Sequence, residues 1–92
     1  MRIRWTDPAA CDLTHICDYI HERDAPGAAR RVALRIFEGV TSLELFPRRG
    51  RTGRMPNTRE LVFPGLPYLV IYRIREDVIE IVRILHGAQK WP

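Results

Sequence analysis

The apolar positions of this chain change period twice. Residues 1–5, Met-Arg-Ile-Arg-Trp, alternate, with Ile3 and Trp5 on one face and Arg2 and Arg4 on the other, which predicts a short strand. The period then becomes helical. Ala10, Leu13, Ile16, Cys17 and Ile20 recur at helical spacing, and Asp12, Asp18 and Glu22 take the opposite face. Thr6 or Asp7 serves as the cap and Pro8 falls in the first turn, so a first helix is predicted over 8–23. The stretch Arg-Asp-Ala-Pro-Gly-Ala-Ala breaks it. Ala29, Val32, Ala33, Ile36, Val40 and Leu43 then form a second stripe, which predicts a helix over 26–45 ended by Pro47. So short a break implies an antiparallel helical hairpin. Gly39, inside the second helix, costs about 1 kcal/mol relative to alanine. Close packing against the first helix would account for it.

After a loop rich in Gly and Pro, the alternation returns in three strand-like runs, Thr-Arg-Glu-Leu-Val-Phe, Tyr-Leu-Val-Ile-Tyr-Arg-Ile and Val-Ile-Glu-Ile-Val-Arg-Ile-Leu. If Glu76 and Asp77 turn the last hairpin, Ile74 faces Ile79, Arg73 faces Glu80 and Tyr72 faces Ile81. Apolar groups then meet apolar groups and opposite charges meet, as cross-strand energetics favour. A longer loop would serve the same register, because Glu-Asp is not a preferred tight-turn pair. The expected fold is α+β: a small antiparallel sheet, in the order strand–helix–helix–strand–strand–strand, packed against a helical hairpin, with its other face free.

Composition narrows the class. Ninety-two residues make one domain with a modest core. With 46% apolar and 28% charged residues, disorder is not expected. No apolar run approaches bilayer length and the first ten residues carry no signal-peptide core, so a cytoplasmic protein with no membrane partner is expected. Cys11 and Cys17 fall on one helix about 9 Å apart, beyond disulfide reach, and both are expected reduced with Cys17 buried.

The net charge is +4, and all but one of the 15 basic residues are arginine. Residues 45–59 hold Arg48, Arg49, Arg51, Arg54 and Arg59 and no acid. Such a run is either a site for an anionic partner, nucleic acid or an acidic protein segment, or a solvated loop.

Candidate chemistry is sparse. His15, His21 and His86 do not stand at ligand spacing with any Cys or carboxylate cluster, so no metal or other cofactor is expected. Ser42, the only serine, lies within a helix, and Arg-Arg-Gly-Arg-Thr-Gly-Arg lacks the lysine and spacing of a phosphate loop. Metal-free RNA cleavage needs a base, an acid and cations on the phosphate, which Arg59, Arg83, His86 and Lys90 would supply. Arg83, expected opposite Val70, would equally serve as a strand arginine paired with Glu60 or with an acidic helix. The tail from Gly87 to Pro92 reads either as a clamp, with Trp91 folded over the sheet, or as a contact through Lys90 and Trp91.

In order along the chain, Trp5 in the first strand, Asp-Leu-Thr-His-Ile-Cys-Asp-Tyr-Ile, Pro-Gly-Ala-Ala-Arg-Arg-Val, Phe-Pro-Arg-Arg-Gly-Arg-Thr-Gly, Pro-Tyr-Leu-Val-Ile-Tyr-Arg-Ile and Val-Arg-Ile-Leu-His-Gly-Ala-Gln-Lys-Trp resemble the RelE/ParE family of bacterial toxins. The resemblance implies the toxin half of a type II toxin–antitoxin module. A cognate antitoxin would neutralise it with a flexible segment and contact operator DNA through its own DNA-binding part. RelE-like members are ribosome-dependent mRNA endonucleases, and ParE-like members poison DNA gyrase. RelE-like nucleases carry an arginine where this chain has Leu69, and a tyrosine after the last strand where this chain has none. The ending resembles the ParE-like branch. The resemblance thus implies gyrase as target, with Arg83, His86, Lys90, Trp91, Arg51 and Arg54 bearing on it and no catalysis by the chain itself. Arg30, Arg31 and Arg35 would meet the antitoxin. The alternatives are a nuclease acting on ribosome and mRNA through Arg59, Arg83 and His86, or a weakly toxic member that mainly regulates its operon.

Overall fold

The computed structural model describes residues 1–87 and 89–91. These form β1 (Arg2–Trp5), α1 (Asp7–Arg23), α2 (Ala28–Ser42), β2 (Arg51–Thr52), β3 (Arg59–Val62), β4 (Tyr68–Arg75) and β5 (Val78–His86). The predicted α+β order is borne out. Thr6 caps α1, its Oγ1 accepting the Ala9 N–H at 3.2 Å, with Pro8 in the first turn. The second helix is shorter than the predicted 26–45. Gly27 caps it in the left-handed region, φ 86°, and it ends at Ser42 ahead of Pro47.

The strands form one sheet in the order β1-β5-β4-β3-β2. Two features depart from the expected all-antiparallel sheet. β1 lies parallel to β5, with Ile3 beside Ile79 and Trp5 beside Ile81, because the helical hairpin and the meander carry the chain round before β5 returns to it. The loop also contributes β2, which pairs Arg51 with Glu60 and Thr52 with Arg59.

The last hairpin has the predicted register from Arg75↔Val78 to Tyr72↔Ile81. Glu76 and Asp77 turn it, with Glu76 at φ 57°. A bulge then shifts the ladder, so Arg83 stands opposite Ile71 rather than Val70.

Val70, Tyr72, Ile79, Ile81 and Ile84 face the helices and bury against Ala9, Ile36, Val40 and Leu43. Gly39 is explained by this face, though not by helix one. A Cβ there would lie 2.4 Å from the Phe63 ring, so it is β3 and the residue after it that demand glycine. The opposite sheet face is not bare. Leu69, Ile71 and Leu85 are buried on it, with Val82 and Trp91 packed against them. Cys17 is half-buried rather than buried, and both thiols are free. No helix among the described residues is long and apolar enough to cross a membrane.

Candidate functional site

The loop between α2 and β3 is held by side chains of β3 and β4. The Tyr72 hydroxyl donates to the Pro47 carbonyl at 2.8 Å and accepts the Gly50 N–H at 2.9 Å. A Cβ on Gly50 would meet the Tyr72 ring at 2.7 Å, so only glycine lets the loop come this close. Burial pushes the Tyr72 phenol up, against the lowering effect of the Gly50 N–H, Arg59 and Arg49. Arg59, beside Tyr72 in the ladder, donates through Nη1 to the carbonyls of Gly50 at 2.8 Å and Arg48 at 3.3 Å. Further along, buried Glu60 receives Arg51 Nη2 at 3.0 Å and the Arg54 N–H at 3.3 Å, with Arg54 Nε at 3.8 Å. The predicted Arg51 and Arg54 are thus pinned by one carboxylate, while Arg59 braces the loop.

A second buried acid, Glu80, lies between Arg4 and Arg73 across three strands and is in contact with both. A carboxylate buried this deeply is tolerated only when paired, and each is paired here.

Arg83 is committed to α1. Its Nε and Nη2 donate to the two Asp12 oxygens at 2.7 and 3.0 Å, which raises its pKa further. His86 ends β5 opposite Tyr68, and the rings meet edge-on at 5.9 Å. With His15, Tyr19 and Pro67 they line a cleft of about 380 Å³ between α1 and the sheet. Burial raises the Tyr68 phenol, followed by the influence of Tyr19, Asp24 and Cys17. His15, Tyr19 and Tyr68 are site residues that sequence reasoning missed, because α1 and β4 are far apart in the chain. The trio proposed for RNA cleavage does not converge. Arg59 and His86 stand beside Tyr72 and Tyr68, four residues apart on β4 and so about 13 Å apart along the strand.

Trp91 packs on Leu69, Ile71 and Leu85, and Lys90 is exposed. Ala88 and Pro92 of the predicted tail lie outside the described residues. Among the described residues no group of His, Cys, Asp and Glu could hold a metal ion. On α2, Arg30, Arg31 and Arg35 are exposed, with Arg35 Nη2 donating to Pro64 O at 2.9 Å. Leu34 and Phe37 are exposed among them, and Leu45, Phe46 and Val62 add apolar surface. Helical periodicity concealed this patch, because a stripe predicts the buried face and not the apolar residues left outside it.

Residues 3–91 match the family model described as ParE toxin of type II toxin-antitoxin system, parDE. The chain belongs to the ParE toxin family. It is similar to protein Y4kP of Sinorhizobium fredii, 48% identical over 91 residues, covering 99% of this chain and 93% of that protein. It is also similar to Toxin RelE2 of Caulobacter vibrioides, 39% identical over 88 residues, covering 96% and 97%. Among solved structures, the chromosomal ParDE toxin–antitoxin system of P. aeruginosa superposes with a TM-score of 0.86 at 30% identity, over 94% of this chain and 95% of that one. The RelBE2 toxin–antitoxin complex of Mycobacterium tuberculosis shares the fold, with a TM-score of 0.67 at 23% identity, over 92% and 95%. This ParE family member is therefore a type II toxin of the RelE/ParE fold, with ParE-like and RelE-like relatives on either side.

Proposed function

We propose that this ParE family toxin acts in the cytoplasm by binding DNA gyrase, without catalysis of its own, and is neutralised by a cognate antitoxin. The outer sheet face carries this reading. Leu69, Ile71, Val82 and Leu85 lie there under Trp91, where a nuclease would need an acid, a base and unpaired cations. Arg83, opposite Ile71 in the ladder, is already held by Asp12. An apolar patch with an aromatic anchor and Lys90 at its margin suits a protein target. His86 then acts as a binding residue beside it, and the pinned Arg51 and Arg54 assist from the loop.

The antitoxin takes the outer face of α2. Leu34 and Phe37 offer apolar anchors for a segment that folds on binding, and Arg30, Arg31 and Arg35 favour one with acidic residues. Raising the salt concentration should weaken that complex, and indifference to salt would argue against these pairs.

The deciding experiment is a gyrase supercoiling and DNA-cleavage assay with purified toxin, with and without antitoxin. Inhibition or trapped cleavage complexes, reversed by antitoxin, is the expected result. No effect at high toxin concentration would move the target to the ribosome. Cleavage of mRNA on programmed ribosomes, lost in His86→Ala, would then establish the nuclease. Absence of both activities would leave operon regulation.

A further inference from the structure

β4 runs past the start of β3. Arg59 is the first β3 residue and pairs with Tyr72, so Arg73, Ile74 and Arg75 have ladder partners on β5 alone. The loop before β3 passes beside this open edge and leaves two adjoining clefts. One, of about 310 Å³, is lined by Arg48, Thr52, Asn57, Thr58, Arg59 and Ile74. The other, of about 360 Å³, is lined by Pro56, Asn57, Arg73, Ile74 and Arg75. They share Asn57 and Ile74. Among the described residues neither is lined by a carboxylate, and between them they hold four arginines.

Those arginines are not neutralised in place. Arg48 and Arg75 are exposed and form no ion pair among the described residues. Arg59 is spent on carbonyl oxygens, which hold its orientation without cancelling its charge. Arg73 shares the single carboxylate of Glu80 with Arg4, so that group stays cationic. Tyr72 and Arg59 fix the base of the loop that forms the cleft wall, so the site is built before any ligand arrives.

We propose that these two clefts bind consecutive phosphates of a nucleic-acid backbone. The walls offer guanidinium, amide and hydroxyl groups, which match the acceptor-only oxygens of a phosphodiester. Among the described residues Pro56 and Ile74 are the only apolar lining residues, too little for the hydrophobic side chains that an acidic protein segment brings when it folds on a surface. The site lies at the turn end of β4, whereas Trp91 packs on Leu69, Ile71 and Leu85 nearer the start of that strand, and it stands whichever target the toxin poisons. It gives the toxin a nucleic-acid contact of its own, where the family resemblance implied operator DNA contact through the antitoxin alone.

The test uses the purified full-length toxin, free of antitoxin, and labelled 20-nucleotide probes: duplex DNA, single-stranded RNA and, as competitor, polyglutamate. The double variant Arg48→Gln/Arg75→Gln removes two exposed groups that form no ion pair among the described residues, so the fold is retained and circular dichroism checks it. Arg30→Gln/Arg31→Gln removes the same charge from α2. The expected result is binding of one or both nucleic acids, weakened about tenfold at low salt by the cleft variant and less than about twofold by the α2 variant. For duplex DNA the salt slope should fall by roughly two, one for each lost phosphate contact. Stronger loss with duplex identifies DNA as the source of the phosphates, and stronger loss with the single strand identifies RNA. Equal loss in both variants would mean diffuse attraction and overturn the proposal. So would absence of binding, or displacement by polyglutamate at matched charge as effective as by unlabelled nucleic acid.

Discussion

Arg83 of β5 and Asp12 of α1, 71 residues apart in sequence, form a two-pronged ion pair that closes the edge of β5 where β1 ends. The same carboxylate also accepts the Ile84 main-chain N–H at 2.9 Å. Just before it, Thr6 donates to Val82 O at 2.9 Å and its own N–H reaches Ile81 O. The first turns of α1 thus replace the strand that β5 lacks, and satisfy backbone groups that would otherwise be orphaned. Asp12→Ala should cost about 2–3 kcal/mol, because it strands both the arginine and the edge N–H. Asp12→Asn, which still accepts one hydrogen bond, should cost about half as much. Urea unfolding of the two variants measures the difference, and equal costs would show that charge rather than hydrogen bonding dominates.

Tyr72 predicts an alkaline transition. Its pKa is raised in the folded state, above the ordinary value of 10.0. Between those values the folded chain holds a proton that the unfolded chain has released. Its contribution is therefore fully present below about pH 10 and is lost as pH rises through the folded value. Tyr72→Phe should lower stability at pH 7 by about 1–2 kcal/mol through the lost bonds to Pro47 and Gly50, and should flatten the fall above pH 10. Tyr68, also raised, keeps the flattening partial. Unfolding free energies at pH 8 and pH 11 test both parts.

Gly39→Ala sets two magnitudes against each other. Helix propensity favours alanine by about 1 kcal/mol. The added Cβ would lie 2.4 Å from Phe63 Cε2 and 2.8 Å from Cζ, in a packed layer that has to move, at about 1–3 kcal/mol. The variant should be less stable by about 1 kcal/mol. Phe63→Leu in the same chain should restore part of the loss, which thermal melts would show.

Trp91 separates anchoring from targeting. Its ring packs on Leu69, Ile71 and Leu85, and its Nε1 is buried without a hydrogen-bond partner among the described residues. Trp91→Phe keeps most of the apolar contact and removes the unmatched donor, so its stability should stay within about 1 kcal/mol of the parent. Trp91→Ala should lose about 2–3 kcal/mol. If Trp91 contacts the target, both variants lose growth inhibition while the phenylalanine variant still melts like the parent. Full toxicity in the phenylalanine variant would mark Trp91 as a clamp alone.

Local information determined much of this protein. Alternation and helical stripes predicted the element order, and charge pairing predicted the Arg73–Glu80 register, because these depend on neighbours in sequence or across a tight turn. The ordered series of short motifs identified the toxin family. Only the tertiary structure decided what depends on distant segments meeting. A strand's period is blind to the direction of its partner, so the parallel union of β1 with β5 was hidden. One inserted residue in β5 moved Arg83 from Val70 to Ile71, and no composition rule marks a bulge. Arg83 chose Asp12, and Glu60 took Arg51 and Arg54, because packing brought those charges within reach and left others too far away. The arginine clefts at the open edge of β4 arise in the same way. Their charge is written in the sequence, but their shape comes from where β3 begins and from the loop that Tyr72 and Arg59 hold in place.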